Sequence, residues 1–285
     1  MREAGCTAAQ EVGFTVANAI QYTQAALDRG LKIDEFAPRL AFFFACHSNF
    51  LEEIAKFRAA RRIWARIVKE RFGARDPRSM MLRFHTQTGG ATLTAQQPIN
   101  NLVRTALQGM SAVLGGTQSL HTNSYDEALS LPSQHAAELA LRTQQIIAYE
   151  TGVGDTIDPV AGSWYIETLT NQVEEEALEY VRRIDEMGGA LAAVERGFQA
   201  NEIHENAFRI QRDIEAKRKI VVGVNEYAEE EAPLQGLHQH DVTVGARRAE
   251  QMRKLRAGRD GAAVEAALAR LEDGARGDAN MMPLI

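Results

Sequence analysis

The sequence predicts an α/β fold, an incomplete β/α barrel followed by a helical tail. Short apolar segments begin near residues 40, 80 and 117, and each is followed by a long stretch of helical period. A spacing of about 40 residues is the cadence of βα units, in which crossover helices join parallel strands. Two polar strings stand at the ends of these strands, Arg83-Phe84-His85-Thr86-Gln87-Thr88-Gly89-Gly90 and Gly115-Gly116-Thr117-Gln118-Ser119-Leu120-His121-Thr122-Asn123-Ser124. Buried polar side chains cost free energy unless they are paired. Two such strings at equivalent places therefore mark either a ligand surface at the strand ends of a barrel or ordinary polar turns. Three units cannot close an eightfold barrel, which takes about 250 residues.

The elements follow in order. Residues 8–31 read as a helix with Val12, Val16, Ile20 and Leu27 on one stripe, and no strand precedes it. Residues 40–45 read as a buried strand and 49–72 as a long arginine-rich helix. A second strand is predicted over 80–84 and a helix over 99–114, then a third strand over 117–121 and a helix over 133–151. Residues 154–163 are turn-rich, with Asp158-Pro159 and glycine punctuation. Helices are predicted over 167–187, 190–195 and 202–217, and 219–224 reads as a last short strand. Residues 225–241 are loop-like, helices follow over 245–256 and 261–275, and 281–285 looks like an element cut short. The expected organisation is a barrel portion over 1–224, then a linker and truncated helical tail over 225–285. A partial barrel exposes strand edges and helix faces, which predicts aggregation or dependence on a partner.

At 285 residues the chain can bury a substantial core. A net charge of −6 argues against general nucleic-acid affinity, yet permits a few arginines to capture a phosphate. Cys6 and Cys46 lack metal-ligand spacing, which predicts a reduced, cytoplasmic setting. The first residues lack the pattern of a signal peptide, and the apolar run at 42–46 is too short to span a bilayer, so no membrane partner is expected.

Several residues could carry chemistry. His238 and His240 beside Asp241 alternate in a polar loop and offer no helix-spaced metal pair, so no metal site is expected. Phosphate-loop and dinucleotide glycine motifs do not occur, nor does a distinctive Ser-His-Asp order. His85 and His121 each stand at a strand end, as structural histidines or as acid–base groups. Arg39 follows Pro38 and enters an apolar strand, where it binds an anion or pairs with a carboxylate. Arg58, Arg61, Arg62 and Arg66, with Glu52, Glu53 and Glu70, read as a solvated, salt-bridged helix face. Asp126 and Glu127 are either first-turn helix acids or acceptors for hydroxyls.

Five strings taken in order cover nearly the whole chain: Phe36-Ala37-Pro38-Arg39-Leu40; His85-Thr86-Gln87-Thr88-Gly89-Gly90; residues 115–131; Asp158-Pro159 with Gly162-Ser163; and Val221-Val222-Gly223-Val224-Asn225. Together they resemble the large subunit of the adenosylcobalamin-dependent acyl-CoA mutases, of the methylmalonyl-CoA mutase type. The resemblance implies the carboxyl-terminal strands and helices of a partial (β/α)8 TIM-type barrel, threaded by an acyl-CoA, with cobalamin on its strand-end face. It implies an isomerase that interconverts methylmalonyl-CoA and succinyl-CoA by radical 1,2-rearrangement. The alternatives are a sister mutase acting on isobutyryl-CoA or 2-hydroxyisobutyryl-CoA, or a non-catalytic half-barrel partner.

Carried over by position, the resemblance implies that Arg39 binds CoA and that Gln118 faces the substrate. It implies that Gln87 and Gly90 face the cobalamin ring, that Asn123 and Glu127 hold the adenosyl ribose, and that Ser130 belongs to the same cofactor-binding set. Ala41 stands where the family often has serine, a departure that puts one of the CoA hydrogen bonds implied by the resemblance in doubt. The family's catalytic tyrosine, carboxylate-binding arginine and acid histidine all precede the segment resembling Met1-Arg2-Glu3-Ala4-Gly5. The chain is therefore expected to be a fragment or the product of a misplaced start, inactive alone. The expected partners are an acyl-CoA, the missing amino-terminal barrel half, and a cobalamin-binding small subunit or domain that supplies the cobalt ligand.

Overall fold

Thr7 opens the first helix with a capping box. Its hydroxyl accepts the Gln10 N–H, and the Gln10 side chain accepts the Thr7 N–H, so two otherwise unpaired groups are satisfied. From this cap α1 (Ala8–Asp28) runs on and buries Val12, Val16 and Ile20. The computed structural model describes residues 1–232, 234–239 and 241–285.

The order continues with α2 (Ile33–Phe36), β1 (Phe42–Cys46), α3 (Phe50–Glu70), β2 (Phe84–Thr88), α4 (Asn100–Leu114) and β3 (Ser119–His121). Four helices follow, α5 (Gln134–Glu150), α6 (Trp164–Glu186), α7 (Ala190–Glu195) and α8 (Phe198–Glu215). These elements belong to one compact unit, Met1–His238. A second unit, Gln239–Ile285, holds α9 (Val244–Gly258) and α10 (Gly261–Ala275), the latter capped by the Asp260 carboxylate on the Ala263 N–H at 3.1 Å. Among the described residues, no helix is long and apolar enough to cross a membrane.

The sheet is parallel with order β1-β2-β3. Side chains alternate across it. One face buries Phe44, Cys46, Phe84, Thr86 and Thr88 against the helices. Phe57 of α3 stacks on Phe84 with ring centroids 5.1 Å apart, and Trp64 meets Phe42 edge-on at 5.0 Å. The other face carries two rungs, Phe43–His85–Ser119 and Ala45–Gln87–His121. Phe43 is 56% exposed there, and Ser119 and His121 are exposed beside it.

Three expectations are corrected. The second strand covers 84–88 rather than 80–84, because Pro77 begins a 3₁₀ turn through Met80 and the polar string itself has the two-residue alternation of a strand. Its buried threonines are satisfied: Thr86 donates to the Thr117 hydroxyl at 2.8 Å, and Thr88 donates to the Asn123 carbonyl oxygen. Residues 219–224 form no strand beyond an isolated bridge between Val222 and Glu226. Gly223 at φ 80° turns the chain there, and the Asn225 side chain accepts the Val221 N–H at 2.7 Å, so local bonds replace a ladder.

The arginine face of α3 is also different from expectation. Its carboxylate partners lie on and before α6: Arg58 reaches Glu167 at 2.7 Å and Asp158 at 3.1 Å, and Arg62 and Arg66 share Glu174. Arg61 turns inward to donate to the Gly115 carbonyl at 2.5 Å. Glu53 is fully buried. The face is a helix–helix seam, because α6 packs over it.

Candidate functional site

Three expected residues meet at the carboxyl end of the sheet. Beyond Thr88 the chain enters a 3₁₀ turn, Gly90–Thr92. A Cβ at Gly90 would lie 2.9 Å from Glu127 Oε1, 3.4 Å from Asn123 Nδ2 and 3.6 Å from Glu3 Oε2. The Asn123 amide donates to Glu127 Oε2 at 2.5 Å and so sets that carboxylate's orientation. Asn123 is itself pinned, because its N–H donates to the Thr88 hydroxyl at 2.9 Å while its side-chain oxygen accepts from the same hydroxyl group. Glu127 lies in a turn, not in the first turn of a helix; neighbouring Asp126 is buried and accepts the Ser133 N–H at 2.9 Å.

The floor of this rim is built from polar groups far apart in sequence. Gln108 of α4 accepts the Gly89 N–H at 2.8 Å and donates to the Thr92 hydroxyl at 2.7 Å. The His47 ring, at the end of β1, lies so close to Gly89 that an added Cβ would be 2.5 Å from its Cδ2. Burial, aided by the nearby Arg2 cation, drives that imidazole down to about 3, so it stays neutral. Its Nε2 is buried without a partner among the described residues.

Below β1 lies a buried network of charge. Arg2 pairs with Glu53, and Lys56 bonds both Glu53 and Glu11, the latter at 2.6 Å. Burial opposes ionisation of Glu53, but Lys56 and Arg2 overcome it and hold the carboxyl below its usual range. Burial likewise opposes the Lys56 charge, and Glu11 and Glu53 outweigh it, raising the ammonium above its usual value. The same groups serve the free edge of β1: Glu11 accepts the Ala45 N–H at 2.8 Å, and Lys56 donates to the Ala45 carbonyl at 2.5 Å.

The other expected residues lie apart from this cluster. Arg39 closes the 3₁₀ turn Ala37–Arg39 and is exposed, so it does not enter the strand and incurs no burial cost. Gln118 is exposed at the opposite end of the sheet from Gly90; its oxygen accepts the Phe84 N–H at 2.7 Å and its amide donates to the Gly116 carbonyl at 2.8 Å. Gln87 sits mid-face on the rung with Ala45 and His121. His85 is the second residue of β2, not its end, and its Nδ1 lies 2.6 Å from the Ser119 hydroxyl. Burial and the neighbouring His121 lower its pKa. Ser130 donates to the Leu131 carbonyl at 2.8 Å and does not join the Gly90 cluster. His240 lies outside the described residues, and with it the His238–His240 pair.

Sequence reasoning missed Glu3, Thr88, Gln108 and His47 as parts of this rim. Only Thr88 carried a signal, as an alternate residue of the polar string. The others reach the rim through tertiary contacts alone.

The profile of the family described as Methylmalonyl-CoA mutase matches residues 1–285. The chain is similar to the 2-hydroxyisobutanoyl-CoA mutase large subunit of Aquincola tertiaricarbonis, 48% identical over 99% of this chain and 50% of that protein. It is 45% identical to the mitochondrial methylmalonyl-CoA mutase of Homo sapiens over 100% of this chain and 38% of that protein. The methylmalonyl-CoA mutase of Rhizobium meliloti (strain 1021) is also 45% identical, over 99% of this chain and 40% of that protein. The chain thus spans half or less of the length of these relatives, which are mutases by name. With the polar rim and the parallel sheet in place, the chain belongs to the methylmalonyl-CoA mutase family.

Proposed function

We propose that residues 1–224 form the carboxyl-terminal part of a (β/α)8-type barrel in an adenosylcobalamin-dependent mutase that interconverts methylmalonyl-CoA and succinyl-CoA. Residues 225–285 are then its linker and helical tail. The observation that carries this reading is the convergence of Asn123 and Glu127 on bare Gly90 at the strand ends of a polar open face.

The residues fit the cofactor. Gly90 leaves a cradle that a side chain would fill, and beside it stand an oriented amide and a carboxylate, the donor and acceptor types that hold ribose hydroxyls. Asn123 and Glu127 would bind the adenosyl group, with Gln87 and Gly90 facing the corrin and Ser130 at the margin. When bound, adenosylcobalamin supplies the radical chemistry of the rearrangement, and its cobalt ligand comes from another domain or subunit.

The chain's own part is to bind, orient and exclude water. Arg39, exposed and without an ion pair among the described residues, suits a CoA phosphate. His85, Gln87, Ser119 and Gln118 give the open face the hydrogen-bonding groups that an acyl-CoA's amides require. An amino-terminal barrel half would complete the wall. Free, buried Cys6 and Cys46 favour a cytoplasmic setting.

The test is reconstitution of the protein with the segments that accompany this chain natively, the cobalamin subunit and adenosylcobalamin. The expected outcome is conversion of methylmalonyl-CoA to succinyl-CoA, and none with this chain alone. Turnover of 2-hydroxyisobutyryl-CoA or isobutyryl-CoA in its place would reassign the substrate. Absence of any cofactor binding would overturn the reading.

A further inference from the structure

We propose that Asn101 is a positioning residue: from a buried place on α4 it ties the loop after β2 to the loop after β3, and so fixes Gly90 against Asn123 and Glu127. The inference rests on the cofactor reading above and extends it to a residue that acts only through its neighbours.

α4 is turned inside out. Its buried face is polar, with Asn101, Thr105, Gln108 and Ser111, while Val103 and Leu107 are exposed. A surface helix ordinarily buries its apolar stripe, so the reversal has to be offset by the bonds that the inner face makes. Asn101 makes four, the full capacity of a side-chain amide. Its Oδ1 accepts the Thr94 N–H at 3.1 Å and a guanidinium N–H of Arg104 at 2.7 Å. Its Nδ2 donates to the Thr94 carbonyl and to the Tyr125 carbonyl, each at 2.9 Å.

Those two carbonyls belong to different loops. Thr94 follows the 3₁₀ turn Gly90–Thr92, from which the Leu93 N–H donates back to the Gly90 carbonyl at 3.0 Å. Tyr125 stands between Asn123 and Glu127, and the Glu127 N–H donates to the Ser124 carbonyl at 3.1 Å. The hydroxyl of Thr88 already ties β2 to Asn123. One tie is a pivot about which the second loop can swing. The Asn101 amide is another, farther along both loops, and two ties fix the angle. Glu127 is thereby held beside Gly90 before a ligand arrives, which lowers the cost of ordering the rim on binding. A merely structural Asn101 would stabilise the fold without setting what the rim prefers.

The two roles separate when preference is read apart from stability. The protein with its native accompanying segments is titrated, well below its melting temperature, with adenosine and with 2′,3′-dideoxyadenosine. The unmodified protein should hold adenosine about tenfold tighter, the scale of a charge-assisted bond to the ribose hydroxyls. Asn101→Ala should lose most of that preference. Asn101→Asp keeps the oxygen that Thr94 and Arg104 use but not the two N–H donors, and it should lose the preference as well. Val68→Ala, a core change near the far end of α3, is the control for lowered stability and should keep the preference. A preference intact in both Asn101 variants, a preference lost equally in Val68→Ala, or failure of both Asn101 variants to fold would overturn this inference and leave the cofactor reading standing. If the unmodified protein shows no preference for adenosine, the cofactor reading of the rim fails with it.

Discussion

Lys56 and Glu11 meet at 2.6 Å in the interior, and between them they take both backbone polar groups of Ala45 on the free edge of β1. A strand edge is a template for unwanted pairing. Here two side chains close it at its carboxyl half, and the charges balance because Arg2 and Glu53 complete the network.

Removing one member of that network exposes its cost. Lys56→Met leaves Glu11 and Glu53 buried with one cation fewer, and the expected loss is about 3–5 kcal/mol by denaturant melting. The variant should regain part of its stability as pH falls, because protonating a stranded carboxyl removes the buried charge. A variant as stable as the parent at pH 7 would show that the network is solvated.

The pH dependence has a window of its own. His47 is driven from 6.5 to about 3 in the folded protein, so between those values the unfolded chain holds a proton that the folded chain rejects. Stability from this group is intact above pH 6.5 and declines as pH falls, by about 2 kcal/mol at pH 5. Glu53, lowered by Lys56 and Arg2, acts in the same direction but only as pH falls below the ordinary carboxylate range. Melting curves from pH 7 to 5 should therefore flatten in His47→Gln.

Adjacent glycines should respond unequally to alanine. At Gly89 the added Cβ meets the half-buried His47 ring at 2.5 Å, and a loss of about 1–3 kcal/mol is expected. At Gly90 the nearest atom, at 2.9 Å, is the tip of the movable Glu127 side chain. Gly90→Ala should cost less than about 1 kcal/mol yet displace Glu127, weakening adenosine binding. Equal melting temperatures for the two variants would contradict this placement.

Thr88 tests the link from sheet to rim. Its hydroxyl both donates to and accepts from Asn123. Thr88→Val keeps the shape and orphans both Asn123 groups, so about 1–3 kcal/mol should be lost, with weaker adenosine binding. Dideoxyadenosine affinity at a temperature well below the melt distinguishes a shifted Asn123 from general loosening.

The fold was legible where apolar periodicity is long. α1, α3 and α4 fall close to their expected ranges, because fifteen or more residues of helical period leave little ambiguity. The strands were harder. A five-residue run such as β2 has buried threonines where an apolar core is expected, and 219–224 has the apolar residues of a strand but bonds locally through Asn225. Short segments are decided by whichever partner their backbone finds.

By itself, the sequence determined the βα cadence, the helices and the polar strings, and through those strings the family and the residues to weigh. Tertiary structure decided which face of each strand is buried, that Arg39 and Gln118 lie at the far end from the rim, and that Glu3 reaches a turn 88 residues away. Periodicity records how a residue faces its own helix or strand. Which groups meet across the fold depends on the path of the chain and on the pairing that buried charges and hydrogen bonds require, and no local pattern encodes that.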